Sequence, residues 1–428
     1  MAEAAMLPAP VPQSSRARRL LPAADLSGPL PARAPAARQL IEAHGLRVVH
    51  LASLAQIAPE QWNALFPGLA ENWGYFRGIE LARSEHFTYS ALLVYDADRL
   101  IAAAPLFRLD YRLDTTLGAG MKGVGDWLAR HLPRLVKLPV LGIGSPMTEQ
   151  CPIGLAPDLD EEARRHAVAA LLAGLDAHAE AEHIKVLALK DVSNHDARHT
   201  DDTLRAAGFT RMASLPVATL ALPFATFEDY LKSMTSRHRS EFRSKLKRAG
   251  DIAVEFRDDI DDVYDEIIAL YRATRDNRKQ SYEAFDEVPE TYFREVMRQS
   301  SGQARVMLCR IDGRLVSFSF FLVEKDRVIG KLLGMDYSIA RERNLYFFNI
   351  LAVIRYCIEH GIPELQTGQT SYAVKLRFGC KLERSWVYFK HRGIVLGALF
   401  RAIGPRLSFD AIDPDLAKLG DKAVYLEA

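Results

Sequence analysis

The chain has 428 residues and a formal net charge of +1, so length points to two or three domains and the balanced charge sets up no bulk field toward DNA or a membrane surface. Its four cysteines (Cys151, Cys309, Cys357, Cys380) stand far apart, which argues against a zinc site or a disulfide framework and fits a reducing cytoplasm. No uncharged run approaches the roughly 18 residues of a membrane span.

Residues 1–45 are rich in Ala, Pro and Arg and poor in acids. Nothing there can bury a core, so the segment is expected to be disordered. Its prolines oppose the amphipathic helix of a transit peptide. Order is expected from Leu46, with a strand around Val48 to Leu51 and a helix opening at Pro59. Residues 87–95 and 100–107 read as two strands joined by an Asp-Ala-Asp-Arg turn.

That hairpin has a counterpart at 308–321, where apolar strands again flank an Asp-x-Arg-Leu turn. An apolar helix at 167–181 leads into a strand at 184–189, as a helix from Leu345 leads into a strand at 364–366. Each unit then closes on a further strand, 217–222 in one and 386–390 in the other. The pattern is a tandem duplication of one α/β unit, 46–225 and 226–392, with a tail at 393–428. The first copy is longer, and its surplus is placed at 108–157, where Gly and Pro concentrate. Gly118, Gly120 and Gly123 there form Gly-x-Gly-x-x-Gly. A dinucleotide fingerprint requires a buried parallel strand before it and an acid about 20 residues later. The preceding segment alternates apolar and charged residues, as a half-exposed antiparallel strand does, and Glu149 comes too late. A flap is expected instead.

The second copy opens on the most basic stretch of the chain, 227–249. Leu231, Met234, His238, Phe242 and Leu246 recur at helical spacing as its buried face, and Arg239, Arg243 and Lys247 form a stripe on another. Such a stripe is either a solvated linker helix or a clamp for phosphate. Two helices are expected within 258–299. Residues 327–390 then read strand, helix, strand and a polar turn ending in Tyr372 and Lys375. Phe347, Ile350, Leu351, Ile354 and Ile358 mark the helix. Asn344 is expected to cap its start through the side chain, and Gly361 and Pro363 stop it. A helix that crosses over a sheet brings the loop before it and the turn after the second strand to one edge. That edge is the candidate active site. The apolar tail residues 393–399 are expected to pack on the body, with a membrane surface as the other reading.

Two copies of this unit, a basic helix opening the second, and a final Gly368-x-x-x-Tyr372-x-x-Lys375-x-x-x-Gly379 turn resemble the tandem GNAT-fold acyltransferases, among them the FemAB-like aminoacyl transferases and CelD-like acetyltransferases. The resemblance covers about 46–392. It implies an α/β chain of two tandem GNAT-like mixed-sheet domains with helices on the faces. It also implies N-acyl transfer, without metal, to an amine of a cell-envelope, polysaccharide or small-molecule acceptor. The donor would be an acyl-CoA, an acyl-carrier-protein thioester or an aminoacyl-tRNA, seated in a notch between the strands at 328–335 and 364–367. Lys375 would supply positive charge to the oxyanion or hold a donor phosphate, Tyr372 would protonate the leaving group or orient the donor, and Asp336 or water would act as base. Arg341, Arg343 and Asn344 would meet donor phosphates, and the stripe of Arg239, Arg243 and Lys247 is a separate candidate for phosphate contact. The loop 338–344 lacks the glycines of simple GNAT enzymes, which leaves coenzyme A open and permits a binding scaffold without catalysis. The matching turn of the first copy has no equivalent Tyr and Lys, so chemistry is expected in the second copy, with the first as a wall of the cleft.

Overall fold

A computed structural model describes residues 37–112, 137–277, 288–403, 413–420 and 423–426. The Gly-x-Gly-x-x-Gly segment and residues 1–36 lie outside the described residues.

Order begins earlier than Leu46. Strand β1 (Arg38–Ala43) pairs antiparallel with β2 (Leu46–Leu51), so the segment expected to be disordered ends in an edge strand. His44 and Gly45 both have positive φ, 54° and 75°, the twist that two-residue hairpin turns need. Helices α1 (Pro59–Asn63) and α2 (Trp73–Leu81) follow, then the long hairpin β3 (Phe87–Asp96) and β4 (Arg99–Arg112). β4 pairs antiparallel with β5 (Lys137–Ile143), and a short β6 (Gly154–Leu155) also joins β4. Helix α3 (Glu161–Ala181) crosses over, and β7 (Val186–Ser193) returns parallel to β5. Helix α4 (Asn194–Ala206), β8 (Thr210–Ala213) and β9 (Val217–Ala221) complete the first copy.

The second copy repeats this order after two helices, α5 (Phe227–Ser233) and the basic α6 (Ser236–Ala249). Edge strand β10 (Ala253–Arg257), helices α7 (Tyr264–Asp276) and α8 (Thr291–Gln299), and strands β11 (Ala304–Ile311), β12 (Arg314–Val323) and β13 (Arg327–Met335) come next. Helix α9 (Leu345–Glu359), β14 (Glu364–Gly368), α10 (Tyr372–Arg377), β15 (Lys381–Glu383), β16 (Ser385–His391) and α11 (Ile394–Ile403) follow. β12 is buried along nearly its whole length, because helices cover both faces of its sheet. α5, α6 and α9 pack on one face. α7 and α8 pack on the other, where the core is continuous with that of the first copy.

The two sheets do not part at residue 225. In the first, of nine strands, β16 lies between β7 and β8; in the second, of seven, β9 lies between β14 and β15. Each copy thus contributes its last strand to the other. The exchange makes the copies one interlocked body, because neither sheet is complete without the other copy.

The copies also meet through α2 and α8. A Cβ on Gly78 would lie 2.7 Å from Cα of Val296, and one on Gly74 would strike the carbonyl oxygen of Gln299. Only glycine allows the backbones this close. Beside it Tyr75 and Tyr292 share a hydroxyl–hydroxyl hydrogen bond of 3.1 Å. Gly78→Ala is therefore expected to destabilise the protein by roughly 1–3 kcal/mol through overpacking, read as a lowered midpoint of thermal unfolding. An unchanged midpoint would show that the helices can part without loss.

The tail departs from expectation. Ile394, Val395 and Leu396 at the start of α11 are 87%, 80% and 47% exposed, so this turn does not pack on the body. Among the described residues no helix is long and apolar enough to cross a membrane.

Candidate active site

β13 and β14 run parallel but pair over only three positions, Arg327 with Glu364, Val328 with Leu365 and Ile329 with Gln366. β13 then continues to Met335 along β12, while β14 turns away. The divergence has a local cause. Opposite β12, Phe321 faces Gly330 and Phe320 faces Leu332, which leaves Lys331 as an extra bulged residue. A bulge bends the strand and re-aims the side chain. β14 has a matching irregularity, since Gln366 faces Thr219 and Gly368 faces Ala218. The result is a notch between two bulged strands, at the edge expected from the strand–helix–strand order.

The notch is lined from both copies. Lys331 pairs with Glu71 and donates to the Met147 carbonyl at 3.3 Å. The two side chains are 5% and 9% exposed. Burial alone would lower the Lys331 pKa, but Glu71 holds it above the usual lysine value. Ala70 donates its amide to Glu324 at 2.9 Å, and Glu324 pairs with Arg327, so residues 70–71 are clamped against the second sheet. Glu149 arrives on the loop 144–151 of the first copy. Its carboxylate accepts from Gln366 Nε2 at 2.8 Å and from the Gln369 amide at 3.0 Å. It lies so close to Gly368, whose φ is 81°, that a Cβ there would collide with it.

The same loop occupies the equivalent position in the first copy. Gly144 donates to the Pro105 carbonyl at 3.0 Å, Cys151 to the Asp191 carbonyl at 2.9 Å, and Lys190 Nζ to the Thr148 carbonyl at 2.9 Å. β4 and β5 pair without a bulge. The first copy thus closes its own notch with the segment that lines the second.

Lys375 lies beside the end of β14. Its side chain is buried and donates to the Gly368 and Gln369 carbonyls at 2.8 and 2.7 Å. Burial lowers its pKa to about 8, partly opposed by Glu149. Tyr372 is not in the notch. It is completely buried, and its hydroxyl donates to the Pro216 carbonyl at 2.8 Å, tying α10 to the chain that leads into the exchanged β9. Burial raises its pKa strongly, so this phenol is a packing group, not an available acid. Asp336 lies five residues past Lys331, about 16 Å along the strand at the usual β rise. Its carboxylate accepts from the Ser338 amide and hydroxyl and pairs with Arg314. It fixes the turn after β13 and is out of reach as a base at the bulge.

The expected phosphate residues separate into two groups. Arg239 donates to the Lys232 and Met234 carbonyls, and Arg243 pairs with Glu228, so both fasten α6 to α5. Lys247 is exposed and has no acidic partner among the described residues. Arg341 is exposed, and Arg343 is 3.8 Å from Glu342 and next to Gly250 at the end of α6. Asn344 occupies the N-cap position of α9, but in the left-handed region, and its side chain caps nothing. The helix start is left without a side-chain acceptor, an arrangement that suits an anion. Sequence reasoning missed Glu71, Glu149, Lys331, Gln366 and Gln369. Lys331 alone carried a signal, as a charge in the middle of an otherwise apolar strand whose only other charge is Arg327 at its start.

Residues 236–376 match the family model described as an acetyltransferase (GNAT) domain. None of the curated proteins matches the sequence. Among solved structures, FemX is 14% identical with a TM-score of 0.53, covering 81% of this chain and 98% of FemX. The C-terminal domain of a protein described as a lysylphosphatidylglycerol synthetase, from Agrobacterium fabrum, is 13% identical with a TM-score of 0.50, covering 81% and 94%. A tandem GNAT protein from the clavulanic acid biosynthesis pathway is 15% identical with a TM-score of 0.49, covering 81% and 99%. The second copy carries the GNAT domain, and the chain as a whole shares its fold with FemX.

Proposed function

We propose that the chain is an N-acyltransferase that moves an acyl group from a thioester donor, an acyl-CoA or an acyl-carrier protein, to an amine of a cell-envelope, polysaccharide or small-molecule acceptor. The observation that carries this reading is the bulged notch, where β13 and β14 part after three pairs and a buried cation stands at the end of β14. A donor chain entering between the strands would bring its carbonyl to the bulge. Donor phosphates would meet the uncapped start of α9, with Arg341, Arg343 and Lys247 near it. Attack by the amine places negative charge on the carbonyl oxygen, and a fixed cation in a dry site stabilises that charge. Lys375 is assigned that role. Mass spectrometry of reactions containing acyl-CoA, acyl-carrier and aminoacyl-tRNA donors is the test. Acylated amine product from a thioester is expected; failure with every thioester would overturn the reading.

A second reading, transfer from aminoacyl-tRNA, has one observation behind it. Arg237, Lys247 and Arg248 of α6 are exposed and bond no acid among the described residues. Grip on nucleic acid through such cations releases counterions, so the rate is expected to fall steeply between about 50 and about 200 mM salt if tRNA is the donor. A flat salt response would exclude it.

A further inference from the structure

We infer that Glu149, a residue of the first copy, is the acceptor-amine residue of the second copy's site: it binds an alkylammonium acceptor and takes its proton as the amine attacks. The inference rests on the acyl-transfer reading above and deepens it. Four observations carry it. The carboxylate stands at the open end of β14, between Gln366 Nε2 and the Gln369 amide. Both donors are neutral, and among the described residues no cation bonds it, so its charge is available to a ligand. Its position is prepared from both sides. Gly368 has no side chain, which makes room for the carboxylate, and the loop 144–151 is pinned by Tyr75 Oη to the Met147 carbonyl at 2.6 Å and by Lys190 to that of Thr148. Finally, Lys375 lies across the Gly368–Gln369 turn, where burial lowers its pKa and the Glu149 charge partly opposes that. The site therefore presents an anion and a cation on either side of one strand end. That suits a reaction whose nucleophile arrives positive and whose carbonyl oxygen becomes negative.

The step balances as follows. The bound alkylammonium first gives one proton to the Glu149 carboxylate, which passes it to water, and the freed amine nitrogen then forms a C–N bond to the thioester carbonyl carbon as a second N–H proton passes to the same carboxylate. The C–S bond then breaks, sulfur keeps the electron pair, and the proton held by Glu149 goes to that sulfur. The products are an amide, a thiol and the one ammonium proton released to water.

The test uses the full chain, wild type and Glu149→Gln, with acetyl-CoA as donor and two acceptors. One is 1,4-diaminobutane, a cation at neutral pH; the other is hydroxylamine, which is uncharged there and needs no carboxylate to hold it. Glutamine keeps the size of the side chain and an acceptor oxygen for the two neutral donors. The variant is expected to lose roughly 100-fold or more with diaminobutane and distinctly less with hydroxylamine, which still gives up an N–H proton on attack but has no ammonium to be held or discharged. Equal losses with both acceptors would show that Glu149 only shapes the turn, and no loss with either would remove it from the reaction; both results overturn the inference and leave the acyl-transfer reading standing. A wild type inert toward both acceptors, and toward the thioester panel above, would remove the acyl-transfer reading and this inference with it.

Discussion

Lys375→Met is expected to yield a folded protein that transfers acyl groups about 100-fold or more slowly, the loss seen when one preorganised oxyanion partner is removed. Methionine keeps most of the side-chain volume and deletes the charge. The pH dependence separates this role from a packing role. The Lys375 pKa is lowered to about 8 by burial, below the ordinary lysine value near 10.4. Below pH 8 the ammonium is charged in both the folded and the unfolded chain. Between pH 8 and the ordinary value the folded chain has lost that proton and the unfolded chain still holds it. Stability therefore rises with pH across this window, by up to about 3 kcal/mol. Activity moves the other way, because the charge that stabilises the oxyanion disappears through pH 8. Wild-type rates measured from about pH 6 to about pH 10 should fall above pH 8 while the thermal midpoint, apart from other titrations, does not. The Met variant should lack this alkaline limb. A wild-type rate flat through pH 8 would take the Lys375 charge out of the mechanism.

The contrast between Lys375 and Tyr372 shows what spacing in a sequence can and cannot carry. Two residues three apart on a helix share a face, and both side chains do point inward from α10. Which inward group reaches the notch depends on what α10 packs against. Here that includes the chain leading into β9, and the Tyr372 hydroxyl satisfies the Pro216 carbonyl there. The exchange of β9 and β16 was not legible because each is a short strand closing its copy, and its own sequence does not say which of the two sheets it will join. The duplication, the β11–β12 hairpin and α9 were legible, since each rests on local periodicity or a local turn. Asn344 was misjudged for a related reason: its propensity as a cap assumes an extended backbone, whereas the loop before α9 enters it left-handed. Glu71 and Glu149 lie far from β13 and β14 in sequence, and only the docking of the copies brings them to the notch.

The Glu71–Lys331 pair is where that docking is expected to be most sensitive. Lys331→Met leaves the Glu71 carboxylate buried with its cation gone, while the Met147 carbonyl keeps the Tyr75 hydroxyl as its donor. Removing one member of a buried ion pair costs about 3–5 kcal/mol, because the remaining charge has lost both water and partner. Glu71→Gln strands the ammonium instead and is expected to cost a similar amount. The double variant Glu71→Gln with Lys331→Met removes both charges and should recover much of the loss, since desolvation of the pair is then no longer required. A double-mutant cycle read by denaturant unfolding would measure the coupling. If the two losses simply add, the pair contributes no mutual energy and other contacts hold residues 70–71 on the second sheet. Strong coupling would instead show the pair acting as a unit where Lys331 bulges and β13 parts from β14. In that case the single variants should also lose acyl transfer, and the double variant should regain stability without full activity, because it restores the fold of the notch but not its charges.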